Sequence, residues 1–141
     1  MSIRCPFEKA ILSGQCTCEL ASRFSVAEQM GVECVSDSAR DQCTVLLGLM
    51  RERARFALKV TNTSEQMAFG KEMKVMLGGL IGLQRLMPAQ PGAVARVQNI
   101  HGLVQQAQAI YGSLEALPYQ EIVKSIVSFQ NRRRSIVPLP R

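Results

Sequence analysis

The chain has 141 residues, of which 47% are hydrophobic, 20% charged and 5% aromatic, with no Trp. That is enough apolar material for one ordinary domain with a core, and it excludes a low-complexity fibre and an aromatic-rich platform for stacking single-stranded nucleic acid. The net charge of +6 is uneven: residues 1–60 carry 8 Lys/Arg against 7 Asp/Glu, and residues 61–141 carry 9 against 4.

At the amino terminus, Met1-Ser2-Ile3-Arg4 runs into Cys5-Pro6-Phe7-Glu8-Lys9, and charges interrupt each short apolar run. A secretory signal needs a continuous apolar stretch, so none is read here. The most apolar segment, Val75 to Leu83, is nine residues long, about half of a membrane-spanning helix. These features predict a cytoplasmic protein with no membrane span. In a reducing compartment an odd set of five cysteines is hard to read as a disulfide framework, which points to metal binding or thiol chemistry.

Residues 18–30 admit two readings. Thr17 can open a helix here, but Phe24 and Val26, then Val32 and Cys34, alternate as in a short hairpin around Gln29-Met30-Gly31. Length favours the helix. Ser36-Asp37 then starts a helix over about 37–59: Ser36 can accept a first-turn amide, Asp37 suits the positive dipole, and Val45, Leu46, Leu49 and Phe56 are its apolar positions. After the turn Thr61-Asn62-Thr63, Ser64 begins a second long helix carrying Met67, Met73, Val75, Met76, Leu80, Leu83 and Leu86, stopping before Pro88. Within it, Gly78, Gly79 and Gly82 cost helix stability and predict close approach by another backbone.

Pro88-Ala89-Gln90-Pro91-Gly92 is the strongest internal break. An amphipathic helix follows from Val94 to Ile110, weakened at Gly112-Ser113, and Pro118 opens a last helix over about 118–130. Arg132, Arg133, Arg134 and Arg141 make a basic tail suited to an acidic surface. The expected fold is all-α: one domain over 1–141, with a less regular cysteine-rich segment (1–43), a bundle of four to five helices (44–130) and the tail (131–141).

All the cysteines, Cys5, Cys16, Cys18, Cys34 and Cys43, fall in the first 43 residues. Four thiolates complete a zinc site or anchor an iron–sulfur cluster, and the fifth is left over. The spacing lacks the paired CxxC of a zinc ribbon, which favours iron–sulfur with zinc as the alternative. Arg4, Lys9, Arg23 and Arg40 stand near enough in sequence to balance a tetrathiolate. Two further readings are a Cys16-Thr17-Cys18 redox dithiol and cysteines that are simply buried apolar residues. His101, the single histidine, reads first as a half-buried helix residue and second as a further ligand. Glu19, Glu28 and Glu33 form no acid–base pair, Asp37 and Asp41 suit capping, and the seven methionines suit core filling.

The sequence thus predicts a small iron–sulfur protein for electron transfer, redox sensing or cluster delivery, docking a protein partner and capable of homo-oligomerising. Isolated Tyr111 and Tyr119 give no support for nucleic acid binding. The alternative is a non-enzymatic helical adaptor or assembly factor with structural zinc or free thiols.

Overall fold

A computed structural model describes residues 4–58, 69–87 and 97–129. Its first helix, α1 (Glu8–Leu12), follows a turn in which the Glu8 amide donates to the Cys5 carbonyl at 3.0 Å. Phe7, Ala10 and Ile11 carry its buried side.

Two antiparallel strands come next, β1 (Ala21–Val26) and β2 (Gln29–Cys34), in register from Ala21 opposite Cys34 to Val26 opposite Gln29. The fold is therefore mixed α and β, which corrects the all-α expectation and the helix expected over residues 18–30. Several local features oppose a helix there. Val26 and Val32 are β-branched, and Gly31 is a poor helix former. A Cβ on Gly31 would collide with the Phe24 ring, which lies against it. The Arg4 guanidinium stands 5.2 Å from the centre of that ring, so a cation, a ring and a bare backbone stack across the hairpin. The turn is tighter than the sequence suggests: Ala27 and Glu28 have φ of 52° and 70°, the left-handed pair of a two-residue hairpin loop without the usual Asn or Gly.

The outer edge of β2 is covered by the amino-terminal segment. Arg4 pairs antiparallel with Glu33, and the Cys5 amide donates to the Val32 carbonyl at 2.9 Å. The Val32 amide donates to the Glu8 carboxylate at 2.8 Å, and Arg4 grips the same carboxylate through two hydrogen bonds of 2.9 and 3.0 Å. Pro6 turns the chain away from the strand, and Glu8 supplies the acceptor that a continuing strand would have supplied.

α2 (Asp37–Ala54) begins as its sequence predicts, with the Ser36 hydroxyl accepting from the Ala39 amide at 3.2 Å. Ala39, Cys43, Leu46, Leu47, Met50 and Ala54 form its buried face. The helix ends five residues short of the expected 59, and residue 59 itself lies outside the described residues. A second helical run consists of α3 (Phe69–Met73), a π-helical turn (Lys74–Gly78) and α4 (Gly79–Leu86) in direct succession. The expected start at Ser64, the break at Pro88 to Gly92, the Val94 turn and the basic tail all lie outside the described residues. α5 (Ile100–Tyr111) stops at Gly112, whose φ is 93°, and α6 (Tyr119–Ser128) follows Pro118 as expected. Four of the methionines, Met50, Met73, Met76 and Met87, are buried in the core. Among the described residues no helix is long and apolar enough to cross a membrane.

Two of the contacts that join these elements fix their spacing. Glu72, 6% exposed, receives Lys9 of α1 at 2.6 Å and Arg51 of α2 at 2.7 Å. The second is the glycine face of the π turn and α4, which lies directly on α6. A Cβ on Gly78 would stand 2.7 Å from the Ile126 Cα, and one on Gly82 2.7 Å from the Ser125 Cβ. This is the close helix approach expected from those glycines. Replacing Gly78 by Ala would push against backbone, at a cost of about 1–3 kcal/mol from overpacking, and the helix-propensity gain of about 1 kcal/mol offsets only part of it. Urea unfolding of Gly78→Ala should show a lower midpoint with an unchanged slope.

Candidate metal centre

Four separate stretches of chain deliver cysteines to one end of the hairpin. The Ala21 amide donates to the Cys18 carbonyl at 3.1 Å, and Ala21 stands opposite Cys34, so a single turn brings Cys18 to the end of the ladder that holds Cys34. The Val35 amide closes that end by donating to Leu20 at 3.0 Å. Cys5 lies beside Val32 and therefore shares with Cys34 the face of β2 that carries the buried Val32. From Cys34 the chain passes the Ser36 cap directly into α2, whose buried face presents Cys43 two turns in.

None of the five cysteines is in a disulfide. Burial pushes Cys43 up from its usual value of 9.0 to about 12, and Cys5, Cys18 and Cys34 push it the same way. Burial likewise pushes Cys5 up to about 11; the Phe7 amide, which donates to its sulfur, opposes this, while Cys18, Cys34 and Glu8 reinforce it. One thiol raises another in this way only across a short distance, because the second negative charge must form in the field of the first. Cys5, Cys18, Cys34 and Cys43 thus stand in one neighbourhood, with Cys18 and Cys34 each acting on both Cys5 and Cys43. Cys43 is its buried member, whereas Cys5, Cys18 and Cys34 are each partly exposed. The Cys34 thiol donates to the Ser36 carbonyl at 3.3 Å.

Cys16 stands apart in kind. It is fully buried and pairs through a parallel bridge with Val97, while its neighbour Cys18 faces partly to solvent. No helix starts at Thr17, so no helix N-terminus lies beside Cys16 and Cys18. Instead Thr17 is stitched to the segment before α5: its amide donates to Val97 at 3.1 Å, its carbonyl accepts from Ile100 at 3.0 Å, and its hydroxyl donates to Gln98.

Each of the cations expected around the thiols has a partner of another kind. Arg4 binds Glu8, Lys9 binds Glu72, Arg23 donates to the Ile11 carbonyl at 3.2 Å, and Arg40 pairs with Asp37 at 3.0 Å. His101 lies on α5 as expected, 4.0 Å from the Glu19 carboxylate. Among the described residues no three or more Cys, His, Asp or Glu side chains converge closely enough to hold a metal ion. The thiols gather in one neighbourhood without meeting at a single point.

No family model matches the chain, and neither a curated protein nor a solved structure matches it.

The raised thiols contribute to the alkaline pH response of the reduced, metal-free protein, alongside Tyr119, which burial pushes up to about 12. Folded Cys5 and Cys43 keep their protons to about 11 and 12, whereas in the unfolded chain they ionise near 9, so above pH 9 the unfolded state binds fewer protons. Their contribution is fully present below pH 9 and is lost as pH rises through the folded values. Urea midpoints measured from pH 7 to 11 should fall above pH 9, and Cys43→Ala should flatten that fall.

Proposed function

We propose that the protein is an iron–sulfur protein in which Cys5, Cys18, Cys34 and Cys43 are the cluster ligands and Cys16 is a core residue. The observation that carries this reading is the backbone placement that brings Cys5, Cys18 and Cys34 to one end of the hairpin and leads from there into α2, which carries Cys43. The sequence spacing, which lacks paired CxxC, favours a polynuclear cluster over zinc. A tetrahedral zinc with Zn–S bonds of about 2.3 Å would need all four sulfurs within about 3.8 Å of one another. A cluster distributes its thiolates over several irons and accepts a wider set.

The chemistry of the donors agrees with ligation. Ligands must be deprotonated, and buried thiols as weakly acidic as Cys5 and Cys43 ionise at neutral pH only when a cation takes the proton's place. The same weakness argues against a nucleophilic role for Cys5 or Cys43, for which a depressed value is needed. The Phe7 amide on the Cys5 sulfur supplies the kind of hydrogen bond that tunes a cluster's potential. Three partly exposed members leave the patch open on one side, which suits electron transfer, redox sensing or cluster delivery to a protein partner in the cytoplasm.

Purification without oxygen, followed by a visible spectrum and analysis of iron, sulfide and zinc, tests the reading. Broad absorbance near about 400 nm, from thiolate-to-iron charge transfer, with stoichiometric iron and sulfide is the expected result. Cys34→Ser and Cys43→Ser should lose the colour, and Cys16→Ser should keep it. A colourless protein with stoichiometric zinc would favour a structural site on a helical adaptor instead. A metal-free protein that also refuses iron and sulfide on reconstitution would overturn the proposal.

A further inference from the structure

The residue before α5 does something a helix cap does not ordinarily do. Asn99 occupies the N-cap position with extended backbone, φ −150° and ψ 97°, yet its side chain makes no capping hydrogen bond to its own helix. Its Oδ1 accepts from the Glu19 amide at 3.1 Å, a partner 80 residues away in sequence. An Asn at this position would usually satisfy a first-turn amide of its own helix. Here that service is given up in favour of the residue next to Cys18.

Gly102, in the first turn of α5, makes this possible. A Cβ there would stand 2.9 Å from the Asn99 Nδ2 and 3.4 Å from its Cγ. Glycine costs helix stability at this position, and the space it leaves is the space the Asn99 carboxamide occupies. Together with the Thr17 bonds to Val97, Gln98 and Ile100, Asn99 encloses Cys18: hydrogen bonds fix the residue before it and the residue after it to the start of α5.

We propose that Asn99 is the positioning residue for Cys18, locking residues 17–19 onto the start of α5 so that this thiol stays in register with Cys5, Cys34 and Cys43. The inference rests on the four-thiol reading, and it links the site to the helical half of the molecule. Whatever undocks the start of α5 frees one ligand, and whatever binds that ligand holds α5 in place. Asn99 acts on Cys18 through the Glu19 amide.

The test compares wild type, Asn99→Ala and Asn99→Asp as full-length, reduced, metal-free chains. Iodoacetamide labels each cysteine, and mass spectrometry of the peptides gives five separate rates. Losing a hydrogen bond that closes a local opening should raise the Cys18 rate about tenfold relative to Cys5 and Cys34. Asn99→Asp keeps the acceptor and should restore the wild-type rate. Gly102→Ala is the second variant: it favours the helix by propensity but crowds the carboxamide, so it should also speed Cys18. An unchanged Cys18 rate in both Asn99→Ala and Gly102→Ala, or an equal rise at all five thiols, would overturn the proposal.

After reconstitution with iron and sulfide, Asn99→Ala should release iron to bathophenanthroline about tenfold faster than wild type, with Asn99→Asp unchanged. If wild type takes up no iron while Cys18 alone is accelerated in the apo variants, the cluster reading fails and the positioning of Cys18 by Asn99 stands.

Discussion

A buried carboxylate must be paired, and the pairing of Glu72 organises the molecule. Removing an ionised group from water costs several kcal/mol unless charge and hydrogen bonds replace the lost hydration. Glu72 is almost wholly buried and meets this demand with one cation from α1 and one from α2. Neither helix can shift along α3 without uncovering it. Because α1 continues the turn that carries Cys5, and α2 carries Cys43, the same constraint holds two of the four thiols at a fixed separation. Lys9 and Arg51 are each partly exposed, so their electrostatic strength is screened by solvent, and their main effect is geometric.

The hairpin adds the other half of the arrangement. Its ladder fixes Cys34, its entry turn fixes Cys18, and its covered edge fixes Cys5, all through backbone hydrogen bonds. The thiol patch is thus assembled by main-chain geometry at three positions and by helix packing at the fourth. Binding sites built on such rigid elements keep their geometry when side chains fluctuate. α2 crosses residue 43, so the cysteine-rich segment and the helical part share one helix.

Much of the helical framework was legible in the sequence, for local reasons. Ser36 with Asp37, Pro118 and Gly112 mark helix ends through chemistry that acts within a single turn, and they mark them correctly. The glycines of the π turn and α4 signalled close packing, which the contacts with α6 bear out. The hairpin was half legible: its alternation was visible, but Ala27 and Glu28 are not turn residues by type, and the stack of Arg4 on Phe24 on Gly31 joins residues up to 27 positions apart. The role of Asn99 was hidden because the apolar periodicity starts upstream at Val94, which placed Asn99 inside the expected helix. The count of cysteines was readable, whereas the identity of the four that gather depends on strand register, which no spacing encodes.

The bonds between residues 16–19 and 97–100 also impose an order of events on synthesis. The two segments are about 80 residues apart, and at 5–20 residues per second the second emerges roughly 4–16 s after the first. Within that interval Cys34 and Cys43 are added to the nascent chain, while the residues flanking Cys18 still lack their eventual partners. Local contacts form within microseconds, but this long-range closure waits for the ribosome. The contacts that flank Cys18 are therefore completed only after the sulfurs of Cys34 and Cys43, which follow it in the chain, have themselves been made.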